Sequence, residues 1–99
     1  MSEYIKCSEL IRMRAKGTIT YATYQCVCNL QGRGLKPRLE DPQSLDGRIL
    51  FDNGKTKDVA AIANDGTAEI YTSHCRGEDE INRYKLGFEN AGIQVIEKN

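Results

Sequence analysis

The apolar positions of "CSELIRMRAKG", Leu10, Ile11 and Met13, gather at helical spacing and predict a short helix near the start of the chain. Ser8 is the expected N-cap, because its hydroxyl can accept from an unpaired first-turn amide. Glu9 suits the positive helix end, and Gly17 suits a left-handed exit. The next segment, residues 18–30, changes period. Ala22, Tyr24, Cys26, Cys28 and Leu30 share one parity, while Thr23, Gln25, Asn29 and Gln31 share the other, with Val27 the exception. Its Thr, Tyr, Val and Cys content fits a pleated surface, so the pattern predicts a long strand with both cysteines pointing into the core.

Beyond the loop-like "LEDPQSLDGR", the runs "RILF", "KDVAAIAN" and "TAEIYTS" read as a three-strand meander from 48 to 73, punctuated by Asn53-Gly54 and Asp65-Gly66. A two-residue turn at Asp65-Gly66 would pair Ala63 with Ala68, Ala61 with Ile70 and Val59 with Thr72, making these the core face. Residues 78–91 carry the strongest helix pattern. Glu78, Asp79 and Glu80 sit in the first turn, Ile81, Tyr84, Phe88 and Ala91 form the stripe, and Asp79 is expected to meet Arg83. Gly87 costs this helix about 1 kcal/mol relative to alanine, so packing must compensate. Gly92 ends it, and "IQVI" returns as a terminal strand. The expected fold is α+β, one domain spanning 1–99, with a mostly antiparallel sheet of four to five strands and two helices packed on one face.

Charge adds an asymmetry. The 14 Lys and Arg balance the 14 Asp and Glu, yet residues 4–38 carry Lys6, Arg12, Arg14, Lys16, Arg33, Lys36 and Arg38 against Glu9 alone. A basic front half can face an anionic partner, although such charges commonly just cover a solvated surface. No apolar run reaches membrane-spanning length and no signal pattern opens the chain, so a cytoplasmic protein with its four cysteines reduced is expected, with no membrane partner.

Candidate chemistry is sparse. Cys26, Cys28, His74 and Cys75, with Cys7 as a spare, could be written as a zinc set. A one-residue gap on a strand, however, holds two thiols about 6–7 Å apart, and zinc knuckles use wider spacings. No metal and no cofactor is expected. His74 beside Cys75 does not make a nucleophile–base pair, which must meet across space. Neither phosphate-binding glycine motif is present, so no catalytic residue is assigned and the protein is expected not to be an enzyme.

Two binding readings remain. In the first, a larger intracellular protein is the partner, with a regulatory or inhibitory outcome. Arg33, Lys36 and Arg38 in the basic loop, with Tyr24, are its contact candidates, since arginine and tyrosine are favoured in hot spots. In the second, residues 8–38 loosely resemble a winged helix-turn-helix: Gly17 lies at the turn, Thr20 is an N-cap, and Val27 and Leu30 pack inward. That resemblance implies nucleic-acid contacts from Arg12, Arg14, Lys16, Tyr21, Thr23 and Gln25.

Overall fold

The computed structural model describes residues 4–41, 43, 47–63 and 65–98. Cys7–Ala15 forms helix α1, starting after Lys6. Ser8 is therefore inside the first turn and does not cap it; instead the Glu9 carboxylate turns back to accept the Lys6 N–H. Thr20 starts the next helix. Its backbone is extended, and its Oγ1 accepts a 3.1 Å hydrogen bond from the Thr23 N–H.

Tyr21–Gln31 then continues as helix α2, which corrects the strand expected over 18–30. Thr23, Cys26, Val27 and Leu30 are its buried residues, spaced three and four apart as a helix stripe requires. Burial of that stripe outweighs the weak helix preference of Thr, Tyr, Val and Cys, which amounts to only tenths of a kcal/mol per residue. A helix also separates the two cysteines that a strand would align. Cys26 is buried and Cys28 is exposed.

The sheet follows as β1 (Lys36–Leu39), β2 (Ile49–Asp52), β3 (Ala60–Ile62) and β4 (Ala68–Tyr71), and then β5 (Val95–Lys98). The strands lie in chain order. The first four pair antiparallel, and β5 joins β4 in parallel through helix α3 (Glu78–Glu89). The fold is thus α+β with a mostly antiparallel sheet, but with three α-helices among the described residues, the extra one being α2. β1 replaces part of the expected basic loop. The loop over 39–48 falls partly outside the described residues, as does Asn64 of the expected third strand.

The β3–β4 register differs by one residue from expectation: Ala60 faces Ile70, Ala61 faces Glu69 and Ile62 faces Ala68. The hairpin closes between Ala63 and Thr67, with Gly66 at φ +89°, so three residues rather than two make the connection. This shift puts Ala60, Ile62, Ala68 and Ile70 on the core face with Ile49 and Phe51. Phe51 meets Phe88 of α3 edge-on, with ring centroids 6.1 Å apart. Tyr84 is buried too. Its hydroxyl donates to Glu80, which also accepts from Asn53, while Arg83 lies over the Tyr84 ring rather than pairing with Asp79.

Helices α2 and α3 end alike. Gly34 and Gly92 take positive φ, and the next residue's N–H returns to a carbonyl five positions back, Leu35 to Leu30 and Ile93 to Phe88. Leu35 and Ile93 are thereby tucked into the core. The two helices touch where Gly87 faces Leu30. A Cβ at position 87 would stand 2.6 Å from Leu30 Cδ2 and 3.2 Å from its Cγ, and Leu30 has no exposed surface into which to retreat.

Among the described residues, no helix lies on the opposite face of the sheet. Side chains cover it instead. Asp52, 1% exposed, accepts from Tyr4 Oη, from Arg38 Nε and from the Asp58 N–H, and Arg38 also pairs with Asp58. Asp58 is held at φ +56°. Farther along, Arg48 bonds to Glu40, Glu69 and the Tyr71 hydroxyl, and Lys98 bonds to Glu69. Leu50 and Ala61 are both buried on this side, lying in register between Arg38 and Glu69. Hydrogen bonding from Arg48 lowers the Glu40 pKa, and hydrogen bonding from Lys98 lowers that of Glu69. Their stabilising effect is complete above the unfolded value of about 4.3 and is lost as pH falls through the lower folded values. It is small because both ion pairs are partly open to water.

Two stability measurements test this packing. Replacing Gly87 by alanine gains about 1 kcal/mol of helix propensity but overpacks the Leu30 contact at a cost of about 1–3 kcal/mol. A lowered urea midpoint is expected, and a raised one would show that the contact yields. Asp52→Ala leaves the Arg38 guanidinium and the Asp58 amide without their shared acceptor. It should lose about 2–4 kcal/mol in the same titration, and a loss below 1 kcal/mol would rule out a structural role of that size.

Candidate interaction surface

The outer sides of α1 and α2 form a surface that neither the sheet nor α3 covers. On α1 the stripe Cys7, Ile11 and Arg14 faces outward; on α2 it is Tyr21, Gln25 and Cys28, with Tyr24 half-buried. The Arg14 guanidinium lies over both tyrosines, 4.6 Å from the Tyr21 ring centroid and 5.4 Å from that of Tyr24. The two rings stack at 6.4 Å with 24° between their planes, and Gln25 donates to the Tyr21 hydroxyl. Cation–ring attraction holds a long flexible side chain flat and so lowers the entropy cost of using it in a contact. Cys28 beside Tyr24 raises the phenol pKa, while Arg14 lowers it.

Ile11 and Tyr21 are each 55% exposed. Ile11, apolar like Leu10 and Met13, does not turn inward with them. Helical spacing carried that signal, because position 11 shares a face with position 14 and not with 10 and 13.

The structure brings some of the sequence candidates together and separates others. Arg14, Tyr21, Tyr24 and Gln25 form one cluster. Arg12 and Lys16 lie on the adjoining stripe of α1, lining a hollow of about 140 Å³ with Glu9 and Met13. Thr23 is 2% exposed, and its hydroxyl accepts from Thr20, so it faces no partner. Arg33, Lys36 and Arg38 do not form one patch. Arg33 follows α2 and lies near Gly87. Lys36 and Arg38 project from β1 on the face without helices, where Lys36 lies over Tyr4 and Arg38 is taken up by Asp52 and Asp58.

Arg38, Arg48, Arg76, Lys85 and Lys98 all have a carboxylate partner. Among the described residues, none within ion-pair distance serves Lys6, Arg12, Arg14, Lys16 or Arg33, nor Lys36, Lys55 or Arg83 elsewhere on the surface.

The lone histidine occupies a different place. His74 Nδ1 donates to the Asp58 carbonyl at 2.9 Å and also lies 3.2 Å from that of Lys57, so a hydrogen sits on Nδ1. It lines a hollow of about 210 Å³ with Glu40, Arg48, Leu50, Asp58 and Tyr71. No local pattern links these residues, because they are brought together only by the strand order. Arg48 is bonded to Glu40 and the Tyr71 hydroxyl, and Asp58 to Arg38. Among the described residues no three His, Cys, Asp or Glu side chains are gathered as a metal site, and no helix is long and apolar enough to cross a membrane. Comparison with family models, with curated proteins and with solved structures finds no match.

Thiol labelling checks the geometry of α2. Burial pushes the Cys26 thiol up to about 12, so it is both inaccessible and protonated near neutral pH. A small alkylating reagent should modify Cys7 and Cys28 in the native protein and reach Cys26 only after denaturant is added. Equal native rates at Cys26 and Cys28 would favour the strand arrangement over the helix.

Proposed function

We propose that this protein is a non-enzymatic binding module that docks onto a larger protein through the outer face of α1 and α2, with a regulatory or inhibitory effect. The observation that carries this reading is Arg14 laid across Tyr21 and Tyr24 beside an exposed Ile11. The two stripes bear no carboxylate and no lysine. Tyrosine and arginine with little other charge is the composition of an interface core, where a few such anchors contribute most of the binding energy. The basic residues around it would steer an acidic partner and affect association rate more than affinity.

The same unpaired cations support a second reading, nucleic-acid binding through α1 and α2. Tyr21 would stack on bases, and Arg12, Arg14 and Lys16 would hold phosphates. The overall neutrality of the chain favours the protein partner, because nucleic-acid domains are commonly strongly basic.

Tagged protein carrying Arg14→Glu or Tyr21→Ala should lose the partner that wild type retains, with the isolated complex weakened by at least about 30-fold, the equivalent of a 2 kcal/mol hot spot. Lys55→Ala, on the β2–β3 loop, should retain it. Loss in the Lys55 variant alone would refute this surface. Binding to single-stranded or duplex oligonucleotides that falls steeply with salt and disappears in Arg12→Ala/Lys16→Ala would favour the nucleic-acid reading instead.

A further inference from the structure

Of the four cysteines, Cys7 and Cys28 are exposed, and both lie on the outer stripes that carry Arg14 and Tyr21. Cys26 is buried within α2, and Cys75, partly buried after β4, donates its thiol hydrogen to the Tyr71 carbonyl. Residues 16–20 connect α1 to α2, and beside that connection the Arg14 guanidinium lies 4.6 Å from the Tyr21 ring centroid. Cys7 stands seven residues before Arg14, and Cys28 seven after Tyr21. Seven residues make about two helical turns and about 10 Å of rise. Each cysteine therefore shares a helix face with the residue that meets its counterpart across the hairpin. The Tyr24 hydroxyl ties the far ends together: it lies beside the Cys28 thiol and within electrostatic range of Cys7.

We propose that Cys7 and Cys28 are a redox-responsive thiol pair, closed into a disulfide between α1 and α2 by exchange with a low-molecular-weight disulfide such as glutathione disulfide. One cysteine, as thiolate, attacks a sulfur of the small disulfide and expels one thiolate, leaving a mixed disulfide on the protein. The other cysteine, as thiolate, then attacks the protein sulfur of that mixed disulfide and expels the second small thiolate. The protein gives up two electrons and two protons, and the small disulfide is reduced to two thiols. A disulfide needs Cα atoms about 4.4–6.8 Å apart, whereas packed helix axes stand about 8–10 Å apart, so closure draws the first turn of α1 inward. Cys7 is the first residue of that turn, and the side-chain bond at its cap, from the Lys6 N–H to the Glu9 carboxylate, is long at 3.4 Å.

Such a bridge fastens the end of the hairpin that the 16–20 connection leaves open. With both ends tied, α1 and α2 hold one relative position, and the face that carries Ile11, Arg14 and Tyr21 is fixed with them. Formation of the bridge depends on the two thiols alone, so it stands or falls separately from any partner docking on that face.

The test treats the full chain, fully reduced and without denaturant, with glutathione disulfide and follows it by intact-mass and peptide-mapping mass spectrometry. Wild type should lose two thiols, retain no glutathione and yield a peptide pair linked through Cys7 and Cys28 within one chain. Cys28→Ser should instead hold one glutathione on Cys7, and Cys7→Ser one on Cys28, because the resolving thiol is missing. Both positions are exposed, so both variants should keep the wild-type far-UV circular dichroism. A wild type that retains glutathione or keeps its thiols free overturns the proposal. So does a link between chains, a link through Cys26 or Cys75, or a Cys28→Ser variant that still loses two thiols without an adduct.

Discussion

The close approach of α2 to α3 at Leu30 and Gly87 governs how the helices sit on the sheet. Leu30 fills the space that a side chain at position 87 would occupy, and Asn29 donates to the Gly87 carbonyl beside it. The weak helix former at 87 is thus accepted for the sake of packing, since interiors tolerate neither voids nor overlap. With the two helices locked together, the α2 stripe is committed to the core. The residues on its other side, Tyr21, Gln25 and Cys28, are consequently turned towards solvent.

The sheet is sealed by different means on its two faces. One side uses α2, α3 and the apolar residues of β2 to β4, where burial supplies the driving force. The other relies on arginine side chains and a ladder of carboxylates. Asp52 is the member of that ladder with no exposed surface to speak of, and it satisfies three donors at once. Networks of this kind stabilise when every group is paired, and no buried side-chain nitrogen or oxygen among the described residues lacks a partner. Arg38 is therefore spent within the fold, whereas Arg14 rests only on aromatic rings and keeps its charge available.

What could be read in advance follows from where the signals lie. Helix α3 was legible because its acidic first turn, its apolar stripe and Gly92 all point the same way. Residues 20–31 were not, because alternating parity and β-favouring composition both imitate a strand; only the Thr20 cap and the inward spacing of Val27 and Leu30, noted for the helix-turn-helix resemblance, agreed with the observed helix. The β3–β4 register turned on one extra residue in a connection. Arg14, Tyr21 and Tyr24 could each be named as candidates, but their stacking depends on how α1 crosses α2, which no local pattern encodes. The pairing of Arg38 with Asp52 and Asp58 bridges 14 and 20 positions and was equally invisible, as was the setting of His74.

The chain-order arrangement of the strands also bears on how the molecule assembles. Strands β1 to β3 each pair antiparallel with their immediate successor, so closures within the meander join near neighbours in the chain and cost little entropy. The Asn29–Gly87 contact, by contrast, closes a span of 58 positions. Topology therefore favours a route in which the hairpins form cheaply and early, while docking of α3 onto α2 completes the native state. On such a route the helix layer, and with it the exposed face of α1 and α2, would be the last part of the protein to take its final shape.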